Sequence, residues 1–84
     1  MKTRESRMTL AKRKQLAKKL KTEWEFYQSQ KNVTQAEFAS RLGYTQSMLS
    51  QMINGHLEVP FHQAWQFSKV FKLDFESITQ RYYR

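Results

Sequence analysis

A pair of short amphipathic segments on either side of a glycine, within residues 34–54, restricts the fold of this chain more than any other feature. The first segment opens with Thr34 and Glu37 at the spacing of a capping box, in which each side chain bonds to the backbone of the other residue. This segment ends at Gly43, and Thr45 is placed to cap the second one. The pattern predicts two short helices joined by a tight turn.

The apolar residues of the two helices are spaced to face inward together. Ala39 stands where the helices cross, and a larger side chain there would force them apart. Tyr44 is an apolar residue in the turn, and Asn54 and Gly55 can end the second helix near Ile53 as a left-handed pair. This arrangement is typical of a helix-turn-helix unit, whose second helix enters the major groove of DNA. The predicted inward-facing residues are Phe38, Leu42, Leu49 and Met52.

Three further helices are predicted around this unit. Apolar residues recur at helical spacing between Thr9, a predicted N-cap, and Asn32, a predicted left-handed stop. Pro60 suits the first turn of a fourth helix, and Asp74 can cap a fifth. The inward-facing positions of these helices are Leu16, Leu20, Trp24 and Tyr27 in the first, Ala64, Phe67, Ser68 and Phe71 in the next, and Phe75 and Ile78 in the last. The sequence therefore predicts an all-α fold, a compact five-helix domain over residues 9–84.

The positive charge of the chain is concentrated near its beginning. Fifteen Lys and Arg side chains against seven Asp and Glu give a net charge of +8. Residues 1–21 hold nine of the basic side chains and one acidic one, whereas residues 22–84 hold six of each sign. Such a segment suits a polyanion, and the alternative is a solvated, partly disordered tail. Residues 1–8 lack apolar periodicity and are predicted to form a flexible basic arm, in which Lys2, Arg4 and Arg7 wrap DNA, bind only its phosphates, or bind nothing.

Several classes of function lack the residues that they need. The chain has no cysteine, and two isolated histidines, His56 and His62, do not make a zinc site. No apolar run reaches the roughly 20 residues of a membrane span, and the basic N-terminus lacks the apolar core of a secretory signal. The carboxylates form no spaced pair, and neither a serine elbow nor a phosphate loop occurs. We therefore expect a cytoplasmic protein that is not an enzyme, lies outside the membrane, and takes no cofactor, metal or small-molecule substrate.

Residues 16–78 resemble, without gaps, the lambda-repressor and Cro family of phage and bacterial regulators. The resemblance implies a five-helix DNA-binding domain with a basic arm before its first helix, which binds a palindromic operator as a homodimer. It also implies a transcriptional repressor that acts by blocking RNA polymerase. The residues that carry it are Thr34-Gln35, Ala39, Gly43, Asn54-Gly55 and Phe71-Lys72-Leu73-Asp74-Phe75-Glu76.

The resemblance also implies which residues contact bases. Repressors of this family read an adenine with a glutamine at the start of the second helix of the motif, and Gln46 stands at that position. A carboxamide offers an acceptor and a donor that complement N6 and N7 of adenine. Ser47 and Gln51 occupy the next base-facing positions, Ser50 is adjacent to them, and Met48 either touches a thymine methyl or packs internally. The alternative for these residues is an ordinary polar surface, although such surfaces usually carry Lys and Glu.

The same resemblance implies contacts to phosphates. Gln35 matches the family's phosphate-binding glutamine and would also support Gln46, Asn54 matches a phosphate-binding asparagine, and Thr45 can meet the DNA backbone. Lys21 and Trp24 stand where the family uses a lysine and a tyrosine near phosphate, and the tryptophan is alternatively a core residue.

The chain departs from the family pattern where specificity is decided. Met48 and Gln51 replace small residues on the recognition helix, and Leu57 replaces a base-contacting asparagine after it. We therefore expect a half-site that differs from those of the family members it resembles.

Two other interpretations stay open. An antitoxin of a toxin–antitoxin pair shares this module and would form a tight complex with a neighbouring gene product. Alternatively, the helices form an interaction module that docks on a protein such as polymerase, with the basic arm as a solvated tail.

Trp65 lies off the main apolar stripe of its helix, as a partly exposed core residue or as part of a dimer contact.

Overall fold

A computed structural model describes residues 9–83, so that the predicted arm residues Lys2, Arg4 and Arg7 lie outside the described part of the chain. Over residues 9–83 the chain forms helices and no strand, which confirms the predicted all-α, five-helix fold. The helices are α1 (Leu10–Lys31), α2 (Gln35–Leu42), α3 (Gln46–Ile53), α4 (Phe61–Phe71) and α5 (Phe75–Tyr82). The long helix α1 packs against α3, α4 and α5, while α2 packs on α3 and α5 packs on α4.

Helix α1 begins and ends at the two predicted caps. The hydroxyl of Thr9 accepts a hydrogen bond from the backbone N–H of Lys12 at 3.1 Å, which satisfies one of the free donors of the first turn. Asn32 ends the helix in the left-handed conformation, with φ 56°, as asparagine does more readily than most residues. Between the caps, one face is buried, and its residues are Leu16, Ala17, Leu20 and Trp24.

The α2–turn–α3 unit has the predicted capping box and the predicted turn. The backbone N–H of Glu37 donates to the Thr34 hydroxyl at 3.1 Å, and the backbone N–H of Thr34 donates to the Glu37 carboxylate at 2.9 Å. The Thr34 hydroxyl also donates to the Glu37 carboxylate, at 3.2 Å. The two bonds that the carboxylate accepts, from the backbone N–H and from the hydroxyl of Thr34, lower the pKa of Glu37 because both stabilise its ionised form. Gly43 ends α2 with φ 83°, a conformation that costs glycine little, and Thr45 caps α3 by accepting from the backbone N–H of Met48.

The crossing of α2 and α3 is closely packed. Ala39 of α2 and Leu49 and Met52 of α3 are all 0 % exposed. The carbonyl of Ala39 accepts from the backbone N–H of Tyr44 at 2.8 Å, which ties the turn to the crossing point. The Tyr44 hydroxyl donates to the side chain of Gln66 on α4 at 2.8 Å, and burial raises the pKa of that phenol. The turn is therefore held both by α2 and by α4.

Aromatic rings join three helices on the other side of α2. The ring of Phe38 lies 4.8 Å from that of Trp24 and 5.2 Å from that of Tyr27, both on α1, and 5.7 Å from Phe71 on α4. Ring pairs at these separations contribute beyond their buried area. Phe38 thus fixes α2 to both α1 and α4.

Three details of the helix ends differ from the sequence prediction. Of the predicted left-handed pair after α3, only Gly55 is left-handed (φ 82°), whereas Asn54 has φ −103°. Pro60 is the N-cap of α4 rather than part of its first turn. Asp74 does precede α5, but its carboxylate accepts from the hydroxyl of Ser77 at 2.7 Å and makes no bond to the helix backbone. At Asn54 and Asp74 a side-chain hydrogen bond, to Ser50 and from Ser77 respectively, accompanies the difference.

We expect Ala39→Leu to lower the free energy of unfolding by about 1–3 kcal/mol, because three extra carbons at a fully buried crossing force the helices apart. Ala36→Leu is the matched control, since Ala36 lies on the exposed side of the same helix. Chemical denaturation followed by circular dichroism measures both variants. Equal losses in the two variants would contradict the assignment of Ala39 to the crossing.

Candidate functional site

The outer face of α3 is polar and carries no charge. Gln46, Ser47, Met48 and Gln51 are exposed and Ser50 is partly buried, while the opposite face of the helix is anchored in the core through Leu49, Met52 and Ile53. Because the inner face is held so closely, the backbone of α3 is fixed and its outer side chains project from a rigid element. The five residues predicted to read bases therefore lie on one outward face of α3.

The two glutamines that begin α2 and α3 lie side by side. The side-chain amide of Gln46 donates from Nε2 to Oε1 of Gln35 at 3.5 Å, which is a long and therefore weak hydrogen bond. This is the pair that the sequence analysis expected. The bond uses one hydrogen of the Gln46 amide and leaves its other hydrogen and its oxygen available. Gln35 in turn keeps its own amide hydrogens, so both side chains can bind further groups.

A second pair on α3 lies one turn further along the same face. Nε2 of Gln51 donates to the hydroxyl of Ser47 at 3.2 Å. This contact orients both side chains and leaves the oxygen of Gln51 and the hydroxyl hydrogen of Ser47 available. Met48, beside them, is 37 % exposed and adds an apolar patch to the polar face.

The end of α3 is joined to α1 by a side-chain contact. Oδ1 of Asn54 accepts from the ammonium of Lys21 at 3.3 Å, while Nδ2 of Asn54 donates to the carbonyl and hydroxyl of Ser50 at 2.8 Å and 3.3 Å. Asn54 therefore covers the last turn of α3 and holds Lys21 beside it. Lys21 keeps two of its three N–H donors for another acceptor.

The remaining predicted phosphate contacts are divided between surface and core. Thr45 is exposed at the start of α3, where its hydroxyl is used as the helix cap. Trp24 is only 4 % exposed and its ring packs against Phe38, so the structure places it in the core, the alternative that the sequence left open. A ring packed in this way has little surface left for a phosphate.

A groove between α1 and the turn after α3 continues from Lys21. Three of its cations, Arg13, Lys14 and Lys18, were not assigned to any site from the sequence. Their helical spacing with Lys21 could have indicated a shared face. That spacing does not indicate what forms the other wall of the groove, which is the turn at Gly55.

No helix within residues 9–83 combines the length and apolar character that a membrane span requires. Over the same residues, no three His, Asp or Glu side chains lie together as metal ligands.

A family model described as helix-turn-helix matches residues 25–78, from the C-terminal part of α1 through α2, α3 and α4 into α5. A comparison with curated proteins finds no match. The outer face of α3 and Gln35 lie inside the matched region, whereas Lys21 and the other cations of the groove precede it.

Proposed function

Because the chain belongs to the helix-turn-helix family of the lambda repressor/Cro type, and is therefore a DNA-binding transcription regulator, we propose that it is a phage-type repressor that binds a palindromic operator as a homodimer. The observation that supports this best is the outer face of α3, which is polar, uncharged and rigidly held. A surface that bound DNA only through its charge would carry Lys and Arg at these positions. Amides and hydroxyls instead match the donors and acceptors of base edges.

Gln46 is the base-reading residue of this proposal. Its free oxygen would accept from N6 of an adenine and its free amide hydrogen would donate to N7, while Gln35 keeps the second hydrogen occupied. The amide of Gln35 would then donate to a phosphate at the edge of the groove. Ser47, Ser50 and Gln51 would meet the following bases, and Met48 would lie against a thymine methyl.

Lys21 is the main phosphate ligand beside α3. Its two free N–H groups would bind a phosphate oxygen, and Asn54 would act at the same phosphate by keeping the ammonium in place. Thr45 would meet the backbone at the other end of α3. Phosphate contacts of this kind set the register of the protein on the duplex without reading its sequence.

The small size of one recognition surface supports the proposed dimer. One short helix reads only a few base pairs, and two copies on one face of the duplex, roughly 34 Å apart, would read both halves of a palindrome. An apolar surface suited to a second copy occurs on α4, where Phe61 is 50 % exposed and Trp65 is 47 % exposed one turn later. Repression would follow because the bound dimer covers DNA that RNA polymerase needs.

Selection from a randomised duplex library near physiological salt tests the proposal. We expect enrichment of a two-fold symmetric site with A·T pairs at matching positions in each half, because Gln46 is suited to adenine. Enrichment of a single half-site would contradict the dimer. No enrichment, together with retention of a protein partner, would favour the interaction module or the antitoxin instead.

On the selected site, Gln46→Ala should weaken binding by about 1–3 kcal/mol and should cost little on random DNA, because it removes a contact to a base edge. Gln80→Ala is the matched control, since Gln80 is exposed on α5. Titration of both duplexes by fluorescence anisotropy gives the difference. A loss of equal size on selected and random DNA would refute the base-reading role.

Lys21→Ala should weaken binding to selected and random DNA alike and should reduce the slope of log affinity against log salt by about one. The reason is that a phosphate contact contributes by releasing a counterion, whatever the sequence. Lys31→Ala removes the same charge from the exposed last turn of the same helix and should leave the slope nearly unchanged. Identical slopes for Lys21→Ala and wild type would show that Lys21 touches no phosphate.

A further inference from the structure

One face of α1 forms a groove with the turn that follows α3, which we name the α1 groove. Its volume is about 620 Å³, and its far wall is formed by Ile53, Asn54, Gly55 and His56. The residues that α1 contributes lie at helical spacing on one face, and they are Leu10, Arg13, Lys14, Ala17, Lys18 and Lys21.

We propose that the α1 groove is a second DNA-backbone site, in which Arg13, Lys14 and Lys18 bind phosphates beyond the stretch of DNA that α3 reads. This proposal rests on the proposed function and extends it, because these three residues precede the region that matches the helix-turn-helix family. The groove would lengthen the footprint of the protein and supply much of its salt-dependent affinity.

The charge of the groove is the first argument. Its lining includes four cations and no carboxylate. Three other surface grooves among residues 9–83 that are lined by α1 each include Glu23 or Asp74. Like charges held side by side on one helix face repel each other unless an external anion neutralises them. A row of phosphates along one DNA strand is an anion of comparable length.

Arg13 provides a second, independent argument. Its Nε is buried from solvent and has no hydrogen-bond partner among the described residues. A buried donor without a partner is costly, so the Arg13 side chain gains if it turns into the groove, where Nε can donate to a phosphate oxygen. The guanidinium is also the group best suited to phosphate, because it can donate two parallel hydrogen bonds.

The position of the groove relative to α3 is the third argument. Lys21 lies at one end and contacts Asn54 at the end of α3, so that the groove begins where the proposed α3 contacts stop. The turn is kept against α1 at the middle of the groove, where a Cβ at Gly55 would lie 3.6 Å from both Ala17 and Lys14. From Lys21 to Arg13 the helix advances about 12 Å, which is the axial length of three to four phosphates of one strand.

The test compares two triple variants that lose the same charge. The groove triple removes three of the four cations of the groove, by Arg13→Gln, Lys14→Gln and Lys18→Gln. The control triple removes three cations that lie outside the groove, by Lys19→Gln, Lys31→Gln and Arg81→Gln. Binding to the selected duplex is measured from low to high salt. We expect the groove triple to reduce the slope of log affinity against log salt by about three, because about 0.9 is lost for each phosphate contact, and the control triple to reduce it by less than one. Equal reductions would overturn the proposal, since net charge alone would then explain both.

Duplex length gives a second measurement. Removing base pairs that flank the selected site should weaken wild-type binding and the control triple but should leave the groove triple unchanged, because in this proposal the groove cations make the contacts to the flanking phosphates. If shortening weakens the groove triple as much as wild type, the flanking contact lies elsewhere and the proposal is wrong. Lys18→Gln alone, with an expected slope reduction of about one, provides the test if circular dichroism shows that the groove triple does not fold.

The failure of this proposal can be distinguished from the failure of the proposed function. If wild type selects no sequence, the sequence-specific repressor is refuted, while the salt slopes of the two triples on random duplex still test the groove. If wild type selects a symmetric site and the two triples behave alike, the repressor stands and the groove is refuted.

Discussion

The close packing of α3 against α2 determines where every outward side chain of α3 points. Ala39 is completely buried at the crossing, and its carbonyl also binds the backbone of Tyr44 in the turn. A side chain larger than a methyl group would separate the helices, and α3 would then rotate or shift relative to the rest of the domain. Gly43 permits the sharp turn, and the bond from Tyr44 to Gln66 ties that turn to α4. The recognition surface therefore depends on contacts made at its back.

Helix α1 has two roles, because its two faces differ in composition. Its apolar face packs against α3, α4 and α5, and Trp24 belongs to this face. Another face carries Lys14, Lys18 and Lys21 along the turn after α3. Since the same helix both supports the core and presents the cations, these cations lie at a defined position relative to α3. In our proposal α1 supplies the cations that contact phosphates, while α3 supplies the contacts to bases.

Hydrogen bonds between surface side chains use some of their donors and acceptors within the protein and leave others available to a ligand. Gln35 with Gln46, and Ser47 with Gln51, each use one donor and leave others available. Asn54 differs from them, because its amide is engaged with Ser50 and Lys21 on both sides. A surface whose side chains are already oriented loses less conformational entropy when it binds than one whose side chains move freely.

The sequence by itself determined the number of helices, the caps of α1 and α2, the N-cap of α3 and the identity of the outward-facing residues of α3, because these depend on local spacing and on the chemistry of single residues. Thr9, Asn32, Thr34 and Gly43 all act as the local rules predict. Only the tertiary structure decided that Trp24 is buried, that Asn54 holds Lys21, and that Arg13, Lys14 and Lys18 share a groove with the turn at Gly55. These features depend on how distant helices pack, and a helical periodicity identifies a face without identifying the element that will cover it.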